Sequence, residues 1–523
     1  MDEDWQVRRR NSSCSQIITS SSFDDVNQIL SCRGTSLSTL SQRPRLQSLT
    51  NVAPVDTRLV EVRASLLAST LNRAHNALQE SLSLSTSMMD LIPPCRQLSL
   101  NLEAAIHIEA ANALWDQGET TSSIGILQTL DNAALLKKQA VPVSRADLLS
   151  KIGHQVSVAK LEKADKIIDR YLRPALKELR GRTEGSDASH VFHQFAVFCD
   201  QQLEDPDSLE DLERLRKLSN GKRDEVAQLE SLLKSATSNG ERARYRSHLG
   251  KAKVWYKLDE EEYQRHMSNR QDFLRSSLEN YLLALAASDD HDSVALRFTA
   301  LWLEHAEEDL ANASVAHHLD KVPSRKFAPL MNQLTSRLQD SPAYFHRHLF
   351  SLVSRICVDH PYHGMYQIYA GTSTKPDAKD EAAVSRRDAA KKVATRLEAH
   401  DKVGQVWKNL TAINKLYSML AGEKDDAKYR SGKKINIKDT QAGMRLNGHL
   451  NRYRVPSPTL HLPLASDLDY SKIPVMVKLE PTMTIASGVS APKIITAIAD
   501  TGQTFKQLVG SPLTATCAQL TVE

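Results

Sequence analysis

Four histidines crowd one short stretch of the chain, His346, His348, His360 and His363. Neutral imidazole is the commonest protein ligand for zinc, so metal binding is the first chemistry to weigh. The spacing speaks against it. Residues two apart on a helix point to different sides, and Pro361 breaks the run between the second pair. Packed or capping histidines are the expectation. The six cysteines (Cys14, Cys32, Cys95, Cys199, Cys357, Cys517) contain no C-x-x-C pair, so neither a disulfide framework nor a structural zinc site is expected, and a reducing compartment fits. Residues 422–454 bring together Lys424, Lys428, Arg430, Lys433, Lys434, Lys438, Arg445, Arg452 and Arg454 with Tyr429 and Tyr453 interleaved. Cations beside aromatic rings can hold nucleic acid. Glu423, Asp425, Asp426 and Asp439 dilute this patch, and a solvated linker is the better reading. The stretch 241–275 has a similar look, with Tyr245, Trp255 and Tyr256 among basic residues. There the helical spacing of Leu249, Trp255, Leu258, Met267 and Leu274 predicts core packing instead. No G-x-S-x-G elbow and no Walker-type lysine motif occurs. Ser487-Gly488-Val489-Ser490, taken alone, reads as an ordinary turn.

The elements that must carry these residues are mostly helices. The chain has 523 residues, 41% hydrophobic and 25% charged, with only 5% aromatic and 19 each of glycine and proline. That balance favours packed helices over sheets, which recruit aromatic and β-branched side chains. A net charge of +4 offers no global basic field to nucleic acid. The acidic start, Met1-Asp2-Glu3-Asp4, carries no secretory signal, and no apolar run is long enough to span a membrane, so a soluble intracellular protein is expected.

Residues 1–55 form a serine-rich, poorly ordered lead-in with at most one or two weak helices. From 56 to 421 apolar stripes recur at three- and four-residue steps, broken by signals such as Gly181, Asp205-Pro206-Asp207 and Asn239-Gly240. Residues 102–130 show the unit most clearly, a helix ending at Gly118 and a return helix through Ile124, Leu127 and Leu130. Such pairs cannot bury their own faces and must stack, which predicts a tetratricopeptide-like α-solenoid. After the polar linker 422–454 the period changes to two. Residues 475–479, 483–485, 493–498 and 504–509 read as strands, with Asp500-Thr501-Gly502 as a hairpin turn.

Two stretches carry a family likeness. One runs from Ser277-Leu278-Glu279-Asn280-Tyr281 through Leu301-Trp302-Leu303-Glu304 and Val322-Pro323-Ser324-Arg325-Lys326-Phe327-Ala328-Pro329-Leu330 to Asp359-His360-Pro361-Tyr362-His363. It resembles the end of the FAT domain in ATM-type phosphatidylinositol-kinase-related Ser/Thr kinases, including their fungal telomere-length checkpoint members. The other, Asp469-Tyr470-Ser471-Lys472-Ile473-Pro474-Val475-Met476-Val477-Lys478-Leu479-Glu480, continues to Ala491-Pro492-Lys493-Ile494 and Gln507-Leu508-Val509. It resembles the opening of that family's kinase domain. The resemblance implies a mainly α chain, a FAT solenoid over 56–421, then a partial, β-rich kinase N-lobe over 455–509. It implies a nuclear kinase of DNA-damage and telomere signalling, acting at DNA ends with adaptor proteins and using ATP and Mg²⁺. It also places the loop over the ATP phosphates at Ser487, Gly488, Val489, Ser490, Ala491, Pro492 and Lys493. Small residues there let backbone N–H groups approach phosphate, and a lysine adds a point charge.

One departure from the family pattern decides the expected activity. Where the family continues Gln-Leu-Val with a lysine and an acidic Asp-Asp-Leu-Arg-Gln-Asp stretch, this chain has Gly510-Ser511-Pro512-Leu513, the start of a divergent tail over 510–523. Phosphoryl transfer needs that lysine, a catalytic-loop aspartate and Mg²⁺ ligands. No Asp-Phe-Gly or Asp-Arg-His triplet occurs, and Asp169-Arg170-Tyr171 is an imitation inside a helical stripe. The chain is therefore expected to be catalytically inert, with no catalytic or metal-binding residue, to bind ATP poorly, and to meet protein partners through its helical arm. Membrane association and direct nucleic-acid binding are not expected. The competing reading is a free-standing helical scaffold.

Overall fold

The computed structural model describes residues 23–132, 136, 139–373, 376–377, 379–423, 430–487 and 492–510. They fall into two compact units that meet in sequence at Val294.

The regular elements among the described residues of the first unit are helices. Helix Phe23–Gln42 and the short Pro44–Thr50 precede Pro54–Ala74, so the serine-rich lead-in is more structured after residue 22 than its composition suggests. Ser41 donates to the buried Glu61 carboxylate, which also holds Arg58. The expected helix pair around Gly118 is present as Glu103–Asp116 and Thr120–Leu130, with Gly118 at φ +90°, a conformation that suits a residue without Cβ. Helix Arg145–Val158 is capped by Ser144, and Asp205 caps Pro206–Ser235 with proline at the first helical position. Ile124, Leu127, Leu149, Ile152, Leu172 and Phe198 belong to one apolar core in this unit. The apolar stripe near 146–180 is carried by several short helical segments, Arg145–Val158, Ala164–Ile167, Ile168–Leu172 and Arg173–Glu178. Asp169-Arg170-Tyr171 lies in a π-helical turn, Ile168–Leu172, that brings Tyr171 into the core.

Helix Asn239–Ala287 has two different halves. Its second half buries Leu274, Leu278, Leu282 and Leu285 and is tied to helix Ser186–Glu204 by a buried bond from Tyr281 to Asp200 (2.7 Å). Its first half pairs with Pro206–Ser235 and buries little beyond Leu249 and Ala252. Trp255 is 58% exposed and Leu258 51%, so the expectation that both pack in a core is overturned. Two helices alone can cover only one narrow seam, and Trp255 lies outside it.

The second unit opens with helices Val294–Glu304, Asp309–His318, Tyr344–Asp359, Pro361–Ser373, Glu381–Glu398 and Gly404–Gly422, its helical arm. Pro361 opens a helix as the sequence predicts, with His360 at the break. The chain then builds an antiparallel sheet: β1 (Lys434–Asn436), β2 (Met476–Leu479), β3 (Thr482–Ile485), β4 (Lys493–Ala499) and β5 (Thr504–Val509). β4 is central. β5 runs along one edge of it, and β2 and β3 follow each other along the other edge, with β1 outside β3. Pro481, which has no N–H to donate, separates β2 from β3, while Glu480 N–H still reaches the Thr496 carbonyl at 2.9 Å. The hairpin between β4 and β5 turns at Gly502 (φ +84°), as expected.

Over 434–453 the expected linker is replaced by structure, while Lys424, Asp425, Asp426, Lys428 and Tyr429 lie outside the described residues. β1 and helix Gln441–Tyr453 occupy 434–453, and Ile435, Ile437, Ala442, Leu446 and Leu450 join the core of the sheet. The basic residues lie between these apolar positions and masked their four-residue spacing. Thr440 caps this helix by accepting from Gly443 N–H, and a Cβ at 443 would stand 2.3 Å from the Thr440 hydroxyl.

Candidate functional site

The loop that the family likeness assigns to phosphate joins β3 to β4. Its base is closed by a bond from Ala486 N–H to the Pro492 carbonyl (2.8 Å), and β3 is held from outside by Gly432 and Lys433. Ser487 is exposed and Pro492 half-buried. Gly488, Val489, Ser490 and Ala491 lie outside the described residues. Lys493 does not present its charge to the loop. It is 1% exposed, and its ammonium donates to the carbonyls of Ala421 (3.0 Å) and Glu423 (2.7 Å). The cause is strand parity. Lys493, Ile495, Ala497 and Ala499 alternate inward along β4, so the side chain must enter the core, and the open carbonyls of a helix C-terminus are what can accept an ammonium there.

At the far end of β5, Gly510 lies beside the same loop, because a Cβ there would be 3.7 Å from the Pro492 side chain. This is the position where the resembled family carries its nucleotide lysine. The strand leading to it is firmly held. Gln507, 1% exposed, receives a hydrogen bond from the Tyr417 hydroxyl (2.7 Å) and donates to Ser457 (2.9 Å). Tyr417 belongs to the last arm helix, Gly404–Gly422, which also contributes Ile413, Leu420 and Ala421 to the sheet's core.

The histidine stretch is a fastening. Residues 455–475 cross the arm helices without regular structure, and His363 bonds the Leu462 carbonyl (2.9 Å) while Tyr366 donates to the Pro456 carbonyl (3.3 Å). His360, fully buried, shares a 2.5 Å bond with the Tyr470 hydroxyl. His346 and His348 lie on the preceding helix, half-buried. Among the described residues no three His, Cys, Asp or Glu side chains converge to hold a metal ion.

Burial, reinforced by His363 alongside, pulls the His360 imidazole down to about 4, with Asp359 opposing. In the first unit His193, stacked on His291 at 4.0 Å, is pulled to about 3 by burial and by the histidines around it. Both are neutral in the fold and take up protons on unfolding below pH 6.5. Stability is therefore complete above about pH 6.5 and falls as the pH drops towards 4. For His360 alone the loss between pH 7 and 5 is about 1–2 kcal/mol. Urea unfolding at both pH values measures it, and the His360→Asn variant should shrink the difference. An unchanged difference would mean that other groups carry the acid sensitivity.

A helical arm whose last helix enters the core of a small antiparallel sheet, with Pro492 before β4 beside Gly510 at the end of β5, is the junction of a FAT domain with a kinase N-lobe. The comparisons with known proteins agree. The chain is 50% identical over 508 residues to the serine/threonine-protein kinase tel1 of Neurospora crassa, and 51% over 487 residues to TEL1 of Gibberella zeae. These matches cover 97% and 93% of this chain and 17% of each relative. The more distant tel1 of Schizosaccharomyces pombe is 28% identical over 415 residues, 78% of this chain and 14% of the relative. A solved structure described as the FAT and kinase domain of CtTel1 superposes with a TM-score of 0.82 at 51% identity, over 94% of this chain and 33% of that one. The open conformation of CtTel1 gives 0.84 over 95% of this chain and 18% of that one. No family model matches the chain. The chain thus belongs with the ATM-type kinases of the Tel1 kind, of which it carries the FAT-to-kinase segment. It spans about a sixth of the length of these curated relatives.

Proposed function

We propose that this chain is the arm-to-N-lobe segment of a nuclear Ser/Thr kinase in DNA-damage checkpoint and telomere signalling, and that the 523 residues themselves transfer no phosphate. The observation that carries the reading is the single core shared by the last arm helix and the sheet, which makes the arm a structural part of the nucleotide lobe. In the intact kinase ATP supplies the transferred phosphoryl group, and Mg²⁺ offsets its charge. The residues of this chain that serve that site are the small-residue loop 487–492, the strands that aim it, and the tyrosine and glutamine that hold β5. What is missing is an ammonium at Gly510, beside Pro492. The arm's outer helical surface supplies docking area for protein partners.

Calorimetry of the purified chain with Mg-ATP tests this. No detectable heat is expected. The Gly510→Lys variant, which restores a cation beside Pro492, is expected to bind more tightly than the parent by about one to two orders of magnitude, since a charge-assisted bond is worth about 1.5–3 kcal/mol. Saturable micromolar binding by the parent chain would refute the inert reading.

A further inference from the structure

We propose that Lys493 is a positioning residue, the tie through which the last helix of the arm fixes both ends of the phosphate loop. The inference rests on reading 487–493 as that loop, and deepens it by naming what sets the loop's place.

Three structures meet at this one residue. Through its side chain Lys493 is fixed to the end of helix Gly404–Gly422, whose Ala421 and Glu423 carbonyls receive the ammonium. Through its backbone it is the point on β4 that pairs with Ile485 on one side and Val509 on the other. Ile485 is the last residue of β3 before the loop, and Val509 leads directly into Gly510. A displacement of the helix end therefore acts at once on the loop's start, on its finish and on the strand end beside it. The helix end is itself anchored. Glu423 N–H closes on the Met419 carbonyl (3.1 Å), and the Glu423 carboxylate accepts from Ala442 N–H (2.7 Å) at the start of helix Gln441–Tyr453. The arm's terminus, the next helix and the loop strand thus form one joint. A buried ammonium suits it, because burial makes its loss costly and so keeps the three parts from separating independently.

Hydrogen exchange on the full chain, without nucleotide, reads the joint. Lys493→Met keeps an apolar stem and removes the donors. Exchange should rise about tenfold at 419–423 and at 485–487 together, and Lys493→Arg, which retains a cation, should recover most of the protection at 419–423. Met483→Ala, a cavity in β3 of the same core, should loosen the sheet while raising exchange at 419–423 clearly less than Lys493→Met does. If Lys493→Met does not fold, Lys493→Gln, with one shorter amide donor, replaces it. The tie is overturned if the lysine variant leaves 419–423 unchanged, or if Met483→Ala loosens 419–423 to the same degree. Because no nucleotide is present, this outcome is independent of the calorimetry that tests the inert reading.

Discussion

Trp302→Ala is expected to cost the second unit about 3–5 kcal/mol, enough to unfold much of the arm near physiological temperature. Trp302 is fully buried. Its indole lies 5.9 Å from the Phe298 ring and 5.0 Å from Phe345, the latter edge-on. The indole N–H donates to Asn312 Oδ1 at 3.0 Å, while the Asn312 amide donates to the carbonyls of Ala306 and Glu308. Truncation opens a cavity between three helices and leaves the Asn312 oxygen buried without its donor, so transfer, cavity and hydrogen-bond losses add. Trp302→Phe keeps most of the volume and should cost about 1–3 kcal/mol, mainly the unpaired asparagine. Urea unfolding followed by circular dichroism separates the two variants. A loss below about 1 kcal/mol for Trp302→Ala would show that the helices close over the space, which the cavity argument forbids.

Gly404→Ala is expected to be nearly as damaging for a different reason. A Cβ at 404 would stand 2.6 Å from the Glu398 carbonyl oxygen and 3.5 Å from that of Leu397. Both are backbone atoms ending the preceding helix, and they cannot rotate away as a side chain would. Gly404 N–H also bonds the His400 carbonyl at 2.7 Å, which holds the turn closed. One methyl group must therefore push helix Gly404–Gly422 off its seat. The direct cost of such overpacking is about 1–3 kcal/mol, and occasionally more. Because this helix carries Leu420, Tyr417 and the Lys493 acceptors, the displacement reaches the sheet, and exchange should rise in β4 as well as at the substituted turn. Gly250→Ala is the comparison. It lies mid-helix with nothing within 4 Å of its new Cβ, and should stabilise by about 0.5–1 kcal/mol. A neutral Gly404→Ala would mean that the turn is not constrained by its backbone contact.

Much of this architecture is legible from periodicity. The Gly118 turn, the β4–β5 hairpin at Gly502 and the change from period 3.6 to period 2 near residue 475 all appear where the side-chain pattern places them. Over 422–454 charged residues outnumber apolar ones, which hides Ile435, Ala442, Leu446 and Leu450 at core spacing within an apparent linker. The opposite error befell Trp255, whose apolar spacing predicts burial but whose helix meets one partner only. Spacing reveals which face is apolar. It does not reveal how many neighbours arrive to cover it. The loop shows the same limit. The resemblance assigns Lys493 to phosphate, and alternation leaves its face open because Ile494 and Ile498 make the opposite side of β4 equally apolar; the fold itself buries Lys493.

The core common to helix Gly404–Gly422 and the sheet also bears on how the chain comes to be folded. Synthesis runs from the N-terminus, so this helix emerges well before β4 and β5 exist, and Ile413 and Leu420 wait uncovered until they do. The strands in turn must close a long loop before any of them gains its neighbours, a slow step by topology. The helix is thus a template that the sheet settles on last. A chain divided between Glu423 and Arg430 would leave each half with an apolar face that only the other can cover, and the missing contacts would be sought between molecules instead.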